Sequence, residues 1–85
     1  MNGDKSLTPK EIFNLALQNY KNNNFNNAKN LYEKILNINP KNAEAQYSLG
    51  NVFYKLGQYQ KALTNYKKTI QIDPKYVKAH YNTGV

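Results

Sequence analysis

The side chains that could carry out chemistry are few. The chain has no cysteine and a single histidine, His80, and it contains no pair of acids placed to act together. It also lacks a nucleophile with a matching base and a glycine-rich phosphate loop. Acid–base, nucleophilic and metal-assisted catalysis each need such a set of groups. The sequence therefore predicts a protein that is not an enzyme and that needs no metal or other cofactor.

A strong positive charge is the second chemical feature. Twelve lysines and five acidic residues give a formal net charge of +7, and there is no arginine. Such a charge attracts nucleic acid or an anionic membrane. Arginine is the usual bidentate reader of phosphates and guanine edges, so its absence weakens the nucleic-acid hypothesis. A codon bias of an AT-rich genome would also enrich Asn, Lys, Ile and Tyr, and we favour that interpretation.

Length and hydropathy limit the class of protein. A chain of 85 residues forms one small domain with a modest core. Without cysteine there is no disulfide framework, and no run approaches the roughly 18 apolar residues of a membrane span. The first five residues lack the apolar stretch of a secretory signal. We therefore expect a cytoplasmic protein.

The elements that must position the remaining polar and aromatic side chains recur with a period of 34 residues. Residues 43–76 contain the spacing Gln46-x2-Leu49-Gly50-x2-Phe53, then Ala62-x3-Tyr66 and Pro74. One period earlier stand Ile12, Leu15, Ala16, Ala28, Tyr32 and Pro40, and one period later stand His80, Thr83 and Gly84. A fixed period of this length is typical of stacked supersecondary units rather than of one closed globule.

Each unit is predicted to be a pair of helices joined by a tight turn. Thr8-Pro9-Lys10-Glu11 combines a capping box with a proline at the first helical position, so a helix should begin there and run to about Lys21. Further helices are expected at about 25–38, 43–56 and 58–72, with a short one from Val77 to Val85. Asn23 and Gly57, one period apart, are predicted to take left-handed turn positions. Residues 1–8 are expected to be a flexible segment.

Apolar residues at helical spacing predict the buried faces. These are Ile12, Leu15 and Ala16 in the first helix, on one face with the polar Asn19, then Phe25, Ala28, Leu31, Tyr32, Ile35 and Leu36 in the second, Ala45, Leu49, Val52, Phe53 and Leu56 in the third, and Tyr59, Ala62, Leu63, Tyr66 and Ile70 in the fourth. Small residues should allow close approach of the paired helices, while the large rings fill the gaps between layers.

One set of residues in the second unit resembles the tetratricopeptide repeat (TPR): Leu49-Gly50, Phe53, Gly57, Tyr59, Ala62, Tyr66 and Pro74. The resemblance covers residues 9–85, with repeats at 9–42 and 43–76 and a partial repeat at 77–85. The second unit departs from the family in having Gln46 where tryptophan is favoured. The resemblance implies an all-α fold, an α-solenoid of antiparallel helix-turn-helix repeats in a right-handed superhelical stack.

In that family the first helix of each pair lines a concave groove that binds a peptide. The resemblance therefore implies a peptide-binding site formed by Lys10, Phe13, Asn14, Leu17, Tyr47, Ser48, Asn51, Lys55, Lys78, Tyr81 and Asn82. Aromatic rings beside amide side chains suit a peptide, because rings bury area while amides pair with its backbone. The sequence leaves open whether Tyr47 and Tyr81 contact a ligand or only pack.

Two patterns within the family bear on the ligand. Asn14 and Asn82 match the asparagine ladder of arrays that resemble the protein O-linked sugar transferase, but Ser48 interrupts it. Only Lys78 fits the two-carboxylate clamp of chaperone-binding members, so an acidic chaperone tail is not expected. We favour a non-catalytic scaffold for protein–protein interaction. The alternatives are the N-terminal substrate-recruiting array of a larger enzyme such as a glycosyltransferase, or a basic binder of nucleic acid or membrane.

The partial third unit is too short to cover the apolar face of the fourth helix. Repeat arrays usually need about three units and a polar terminal helix. We therefore expect a fragment of a longer array. We also expect the isolated chain to form homo-oligomers, either by end-to-end stacking or by exchange of its last helix.

Overall fold

The computed structural model describes residues 6–82, which form five α-helices and no strand. The helices are α1 (Pro9–Lys21), α2 (Phe25–Ile38), α3 (Ala43–Lys55), α4 (Tyr59–Ile72) and α5 (Val77–Asn82). The predicted positions of α1 to α4 are correct to within one residue. The expected flexibility of residues 1–5, and the positions of Thr83, Gly84 and Val85 in the fifth helix, lie outside the described residues.

The helix ends form where local side chains satisfy the free backbone groups. Thr8 Oγ1 accepts a hydrogen bond from Glu11 N at 3.1 Å, and Glu11 Oε1 accepts one from Thr8 N at 2.9 Å. This reciprocal pair is the predicted capping box of α1. Asn42 Oδ1 caps α3 by accepting from Ala45 N at 3.0 Å. Asn23 and Gly57 have φ values of 65° and 78°, so both predicted left-handed turn positions are confirmed.

Helices adjacent in sequence are also adjacent in space. α1 packs on α2, α2 on α3, α3 on α4 and α4 on α5. The resulting stack is elongated, measuring 50 by 25 by 16 Å. Sequential packing without closure around one centre is the arrangement of an α-solenoid, so the predicted fold class is confirmed.

The core is a continuous stripe along the stack, and it contains most of the predicted apolar positions. Its buried members are Ile12, Ala16, Ala28, Tyr32, Ile35, Ala45, Leu49, Val52, Phe53, Ala62 and Tyr66. Phe25, Leu31, Leu36 and Leu56 pack against this cluster with part of each side chain exposed. The 34-residue period, together with the helical spacing of apolar residues within each unit, therefore predicted most of the core.

Two predicted core positions are corrected by the structure. Tyr59 was expected on the inner face of α4, but its side chain is 61% exposed and its ring packs edge-on against Tyr54 at 5.1 Å. It lies at the start of α4, where no described helix covers it. Leu15 was expected to be buried on α1, yet it is 38% exposed because no described helix packs on that side of α1.

A buried polar network between α3 and α4 was not predicted. Gln46 Nε2 donates to Asn65 Oδ1, and Asn65 Nδ2 donates to the carbonyl of Lys61 at 2.7 Å. Thr69 Oγ1 donates to the carbonyl of Asn65 at 2.9 Å. Buried polar groups are costly unless they are paired, so the bond between Gln46 and Asn65 favours one register of α3 against α4, and the other two bonds satisfy polar groups within α4.

Candidate functional site

The predicted site residues lie on α1, α3 and α5, the first helix of each pair. We call the surface that these residues form the groove face. It contains two clefts, one where α1 meets α3 and one where α3 meets α5. The two clefts differ in their lining and in how firmly their polar groups are held.

The cleft between α3 and α5 is lined by Asn51, Tyr54, Tyr66 and Asn82, encloses about 330 Å³, and is called here the amide cleft. Tyr66 Oη donates to Asn51 Oδ1 at 2.6 Å. Asn82 Nδ2 donates to the hydroxyl of Tyr47 at 3.0 Å. Each amide thus has one hydrogen-bonded end, and within residues 6–82 Asn51 Nδ2 and Asn82 Oδ1 make no further hydrogen bond.

Tyr47 lies at the centre of the groove face and has a clear packing role. Its ring centroid is 5.6 Å from that of Tyr66 and 5.2 Å from that of Tyr76. Its hydroxyl also accepts the hydrogen bond from Asn82. Tyr47 therefore connects the core to the amide cleft, and contact with a ligand remains a prediction for this residue.

Burial raises the pKa values of four phenols in the stack, Tyr20, Tyr32, Tyr66 and Tyr76. Burial, aided by the nearby phenol of Tyr47, raises the pKa of Tyr66 to about 12. Burial is also the main cause that raises the pKa values of Tyr20, Tyr32 and Tyr76. A neutral phenol can donate and accept hydrogen bonds but cannot serve as a base near pH 7. Tyr66 is therefore a neutral hydrogen-bond donor to Asn51 at physiological pH.

The corresponding position one period earlier has different chemistry. Leu17, Tyr20, Tyr32 and Ser48 stand where Asn51, Tyr54, Tyr66 and Asn82 stand in the amide cleft. There the phenol of Tyr32 is almost completely buried, hydrogen-bonded to Ser48 and packed edge-on against Phe13 at 5.4 Å. Leu17 stands where Asn51 stands one period later, and leucine has no amide to accept a hydrogen bond from the phenol of Tyr32. The pair of held amides thus occurs at one of the two helix junctions.

The remaining predicted residues are spread over the rest of the groove face. The second cleft, where α1 meets α3, encloses about 430 Å³. It is lined by Lys10, Phe13 and Asn14 together with Pro9, Asn42 and Glu44. Leu17 is half-buried, and it faces a shallow apolar depression beside α1 that Asn14 also lines. Lys55, Lys78 and Tyr81 are exposed. The structure therefore brings Asn51 and Asn82 together with Tyr47 and separates them from Lys10, Phe13 and Asn14.

Two residues of the amide cleft were missed by the sequence analysis as site residues. Tyr66 was predicted in the core, and its ring is buried there, but its hydroxyl reaches Asn51. Tyr54 was not among the predicted site residues, although it lies three residues after Asn51 and thus on the same helix face. The three-residue spacing between Asn51 and Tyr54 was the feature of the sequence that could have predicted this contact.

Other kinds of site find no support among residues 6–82. No group of three or more metal-ligating side chains occurs in that range, and none of its helices is long and apolar enough to cross a membrane. His80 Nε2 lies 2.6 Å from the carbonyl oxygen of Pro74. The histidine thus closes the turn before α5.

Helical hairpins stacked in sequence, with an amide-lined face on the first helix of each pair, define a helical-repeat scaffold. A sequence model of the TPR repeat family matches residues 16–57 and 50–85. The chain therefore belongs to the TPR family, as its residues predicted, and the family supports a scaffold for protein–protein interaction.

Solved structures give the same result for the fold. The chain is similar to a structure titled "Crystal structure of MamA", with 27% sequence identity and a TM-score of 0.87, over 91% of this chain and 45% of that chain. A second structure, titled "Crystal structure of MamA protein", has 27% identity and a TM-score of 0.85, over 91% and 42%. The chain thus spans less than half the length of these proteins. No curated protein matches it significantly.

Proposed function

We propose that this chain binds an extended peptide segment of a partner protein on its groove face, with the amide cleft as the central subsite. The observation that supports this function is the pair of amides held by phenols: Asn51 by Tyr66, and Asn82 by Tyr47. Among residues 6–82 each amide keeps one polar group without a hydrogen bond, a donor on Asn51 and an acceptor on Asn82.

The chemistry of a peptide main chain matches these two groups. An extended backbone presents N–H donors and C=O acceptors in alternation. Asn51 Nδ2 can donate to a peptide carbonyl, and Asn82 Oδ1 can accept from a peptide N–H. Because protein hydrogen bonds already hold the other end of each amide, less conformational freedom is lost when the ligand binds.

The size and lining of the cleft favour a peptide over a cofactor. Its volume of about 330 Å³ lies at the small end of the range of roughly 300–1,000 Å³ that is common for ligand pockets. Tyr54 lines the cleft and is more than half exposed, so its ring offers apolar area to a peptide side chain. No charged residue among those described lines the cleft, so recognition by main chain and ring contact is favoured over recognition of an acidic group.

The alternative function, a substrate-recruiting array of a larger enzyme, would also bind a peptide on the groove face. Its specific support was the asparagine ladder. Asn14 and Asn82 line separate clefts in the structure, with Ser48 held by Tyr32 between them. The ladder is therefore not continuous, and we favour the scaffold.

The test compares peptide capture by the wild-type chain with capture by the double variant Asn51→Leu and Asn82→Ser. These changes give the amide cleft the residues that stand one period earlier. Capture from a peptide array should fall about tenfold or more, because buried hydrogen bonds to the peptide would be lost. The matched control, Asn30→Leu with Asn27→Ser, makes the same changes on the exposed side of α2 and should bind as wild type does.

Two results would argue against the proposal. Equal capture by the Asn51→Leu, Asn82→Ser variant and by the control would remove the amide cleft from the function, provided circular dichroism shows both variants folded. Capture that falls steeply with salt for every peptide would instead favour a nonspecific electrostatic binder.

A further inference from the structure

The second cleft, where α1 meets α3, contains charged side chains, in contrast to the amide cleft. The two clefts share no lining residue. Lys10 supplies a positive charge from the first turn of α1, and Glu44 supplies a negative charge from the first turn of α3. Both side chains are exposed, so a ligand can reach either charge. We call this cleft the charged cleft.

The two charges occupy equivalent places in their repeats. Glu44 follows Lys10 by one period of 34 residues, so the same turn of the first helix is positive in one unit and negative in the next. Lys10 lies four residues before Asn14, and Glu44 lies four residues before Ser48. Residues four apart share a face of a helix. The opposite charges therefore stand side by side on the groove face, one on each helix.

Neither charge has a partner within the described part of the chain. The Lys10 ammonium and the Glu44 carboxylate make no hydrogen bond or ion pair there, with one another or with any other group. By contrast, Glu11 closes the capping box of α1, and Asp73 Oδ1 accepts a hydrogen bond from Lys75 N at 3.1 Å. An acid in the first turn favours the dipole of α3, but that effect does not require a position in a cleft.

The charged cleft also has an apolar wall. Phe13 is half-buried there, and its ring packs edge-on against Tyr32 at 5.4 Å. A ring held in this way can cover the methylene stem of a long charged side chain while the charged end stays near water. The field of Glu44 extends to this wall: burial is the main cause that raises the pKa of Tyr32, and the charge of Glu44 raises it further. The cleft thus offers apolar contact beside two opposite charges.

We propose that the charged cleft selects the order of charges in the bound peptide, with a basic side chain paired to Glu44 on α3 and an acidic side chain paired to Lys10 on α1. This inference rests on the proposed peptide-binding function and adds a sequence preference to it. The amide cleft lies where α3 meets α5, on the other side of α3. The basic residue is therefore the one nearer to the peptide segment in the amide cleft, and the acidic residue is farther from it.

The dimensions of an extended peptide are compatible with this arrangement. The axes of packed helices are roughly 8–10 Å apart. Three residues of an extended chain span about 10 Å. The two charged residues of the peptide are therefore expected about two to four positions apart, with the neutral segment beyond the basic residue.

The experiment measures, by fluorescence anisotropy at low salt, the affinity of synthetic peptides that have one composition and differ only in order. Each peptide contains one glutamate, one lysine and the same neutral segment, with either the lysine or the glutamate next to that segment, in both chain directions. The wild-type chain should bind the lysine-adjacent order about threefold to tenfold more tightly. Exposed ion pairs are individually weak, but the other order replaces two attractions by two repulsions. High salt should remove the preference.

A charge swap tests the assignment of the two residues. Lys10→Glu with Glu44→Lys keeps the net charge of +7 and should reverse the preference, so that the glutamate-adjacent order binds more tightly. The matched control, Glu33→Lys with Lys34→Glu, makes the same swap between exposed residues of α2 and should keep the wild-type preference. Circular dichroism would verify that both variants are folded.

The possible results separate this inference from the function on which it rests. Equal binding of the two orders by the wild-type chain, or an unreversed preference in the Lys10→Glu, Glu44→Lys variant, would overturn the role of the charged cleft and leave peptide binding intact. A preference reversed by the control swap on α2 would assign it to the general field of the protein and would also overturn the inference. Failure of every peptide to bind the wild-type chain would overturn both proposals.

Discussion

Gly50 on α3 lies directly against the ring of Tyr66 on α4. A Cβ atom at position 50 would be 2.7 Å from Tyr66 Cε1 and 2.8 Å from Tyr66 Cδ1, closer than nonbonded carbon atoms can pack. The hydroxyl of the same ring donates to Asn51, the residue that follows Gly50. The close approach of α3 and α4 therefore sets the position of the ring that holds one amide of the amide cleft.

A methyl group at position 50 should disturb both packing and the site. We expect Gly50→Ala to destabilise the fold by about 1–3 kcal/mol, because the ring of Tyr66 must move in a filled core. The same movement should lengthen the hydrogen bond to Asn51 and reduce peptide capture. Urea unfolding followed by circular dichroism measures the change in the free energy of unfolding.

Gly57→Asn is the control for that glycine substitution. Gly57 has a φ of 78° and open space around it, and Asn23 takes a φ of 65° at the matching turn. Asparagine tolerates this left-handed conformation, so the change should cost less than about 1 kcal/mol. If Gly50→Ala proved no more destabilising than Gly57→Asn, the close contact with Tyr66 would not limit stability.

The buried pair of Gln46 and Asn65 should behave as a coupled unit. Either Gln46→Leu or Asn65→Leu leaves a buried amide without its partner, which costs about 1–3 kcal/mol. The double variant should be less destabilised than the sum of the two single variants, because it removes the pair rather than half of it. A double-mutant cycle of urea unfolding measures the coupling, with exposed Gln60→Leu as a control. Strictly additive single effects would show that the two side chains do not interact.

Stability should fall at alkaline pH because of the buried phenols. The folded state raises the pKa of Tyr66 from 10.0 to about 12, so the folded chain keeps its proton where the unfolded chain loses it. The contribution of this group is complete below pH 10.0 and is lost as the pH rises toward about 12. The raised pKa values of Tyr20, Tyr32 and Tyr76 act in the same direction.

This pH dependence can be measured as the urea midpoint across the alkaline range, together with tyrosinate absorbance. Tyr66→Phe removes one titrating group from the core and should flatten the fall in stability. Tyr59→Phe changes an exposed ring and should leave the profile as in the wild type. An identical profile for the wild type and Tyr66→Phe would contradict the assigned role of Tyr66.

Much of the fold followed from patterns that act over a few residues. The capping box at Thr8, the left-handed turns at Asn23 and Gly57, and the apolar spacing of α2 and α3 were all predicted and observed. These features depend on backbone geometry and helical period, which neighbouring residues determine. Repetition at 34 residues then predicted stacking, because a single hairpin cannot bury its own apolar faces.

The failures were of a different kind. Tyr59 has the same place in its repeat as half-buried Phe25, yet it is exposed, since what covers a residue depends on the next helix in the stack. The pairing of Gln46 with Asn65 joins residues on two helices, and no spacing within either helix predicts it.

The sequence by itself thus determined the repeat, its helices and most of the buried stripe, because period and capping are local properties of the chain. Tertiary structure alone decided which asparagine side chains are held by phenols, since Asn51 depends on Tyr66 and Asn82 on Tyr47, across distances of 15 and 35 residues in sequence. Such contacts form only when separate helices come together, within one unit for Asn51 and Tyr66 and between two units for Asn82 and Tyr47.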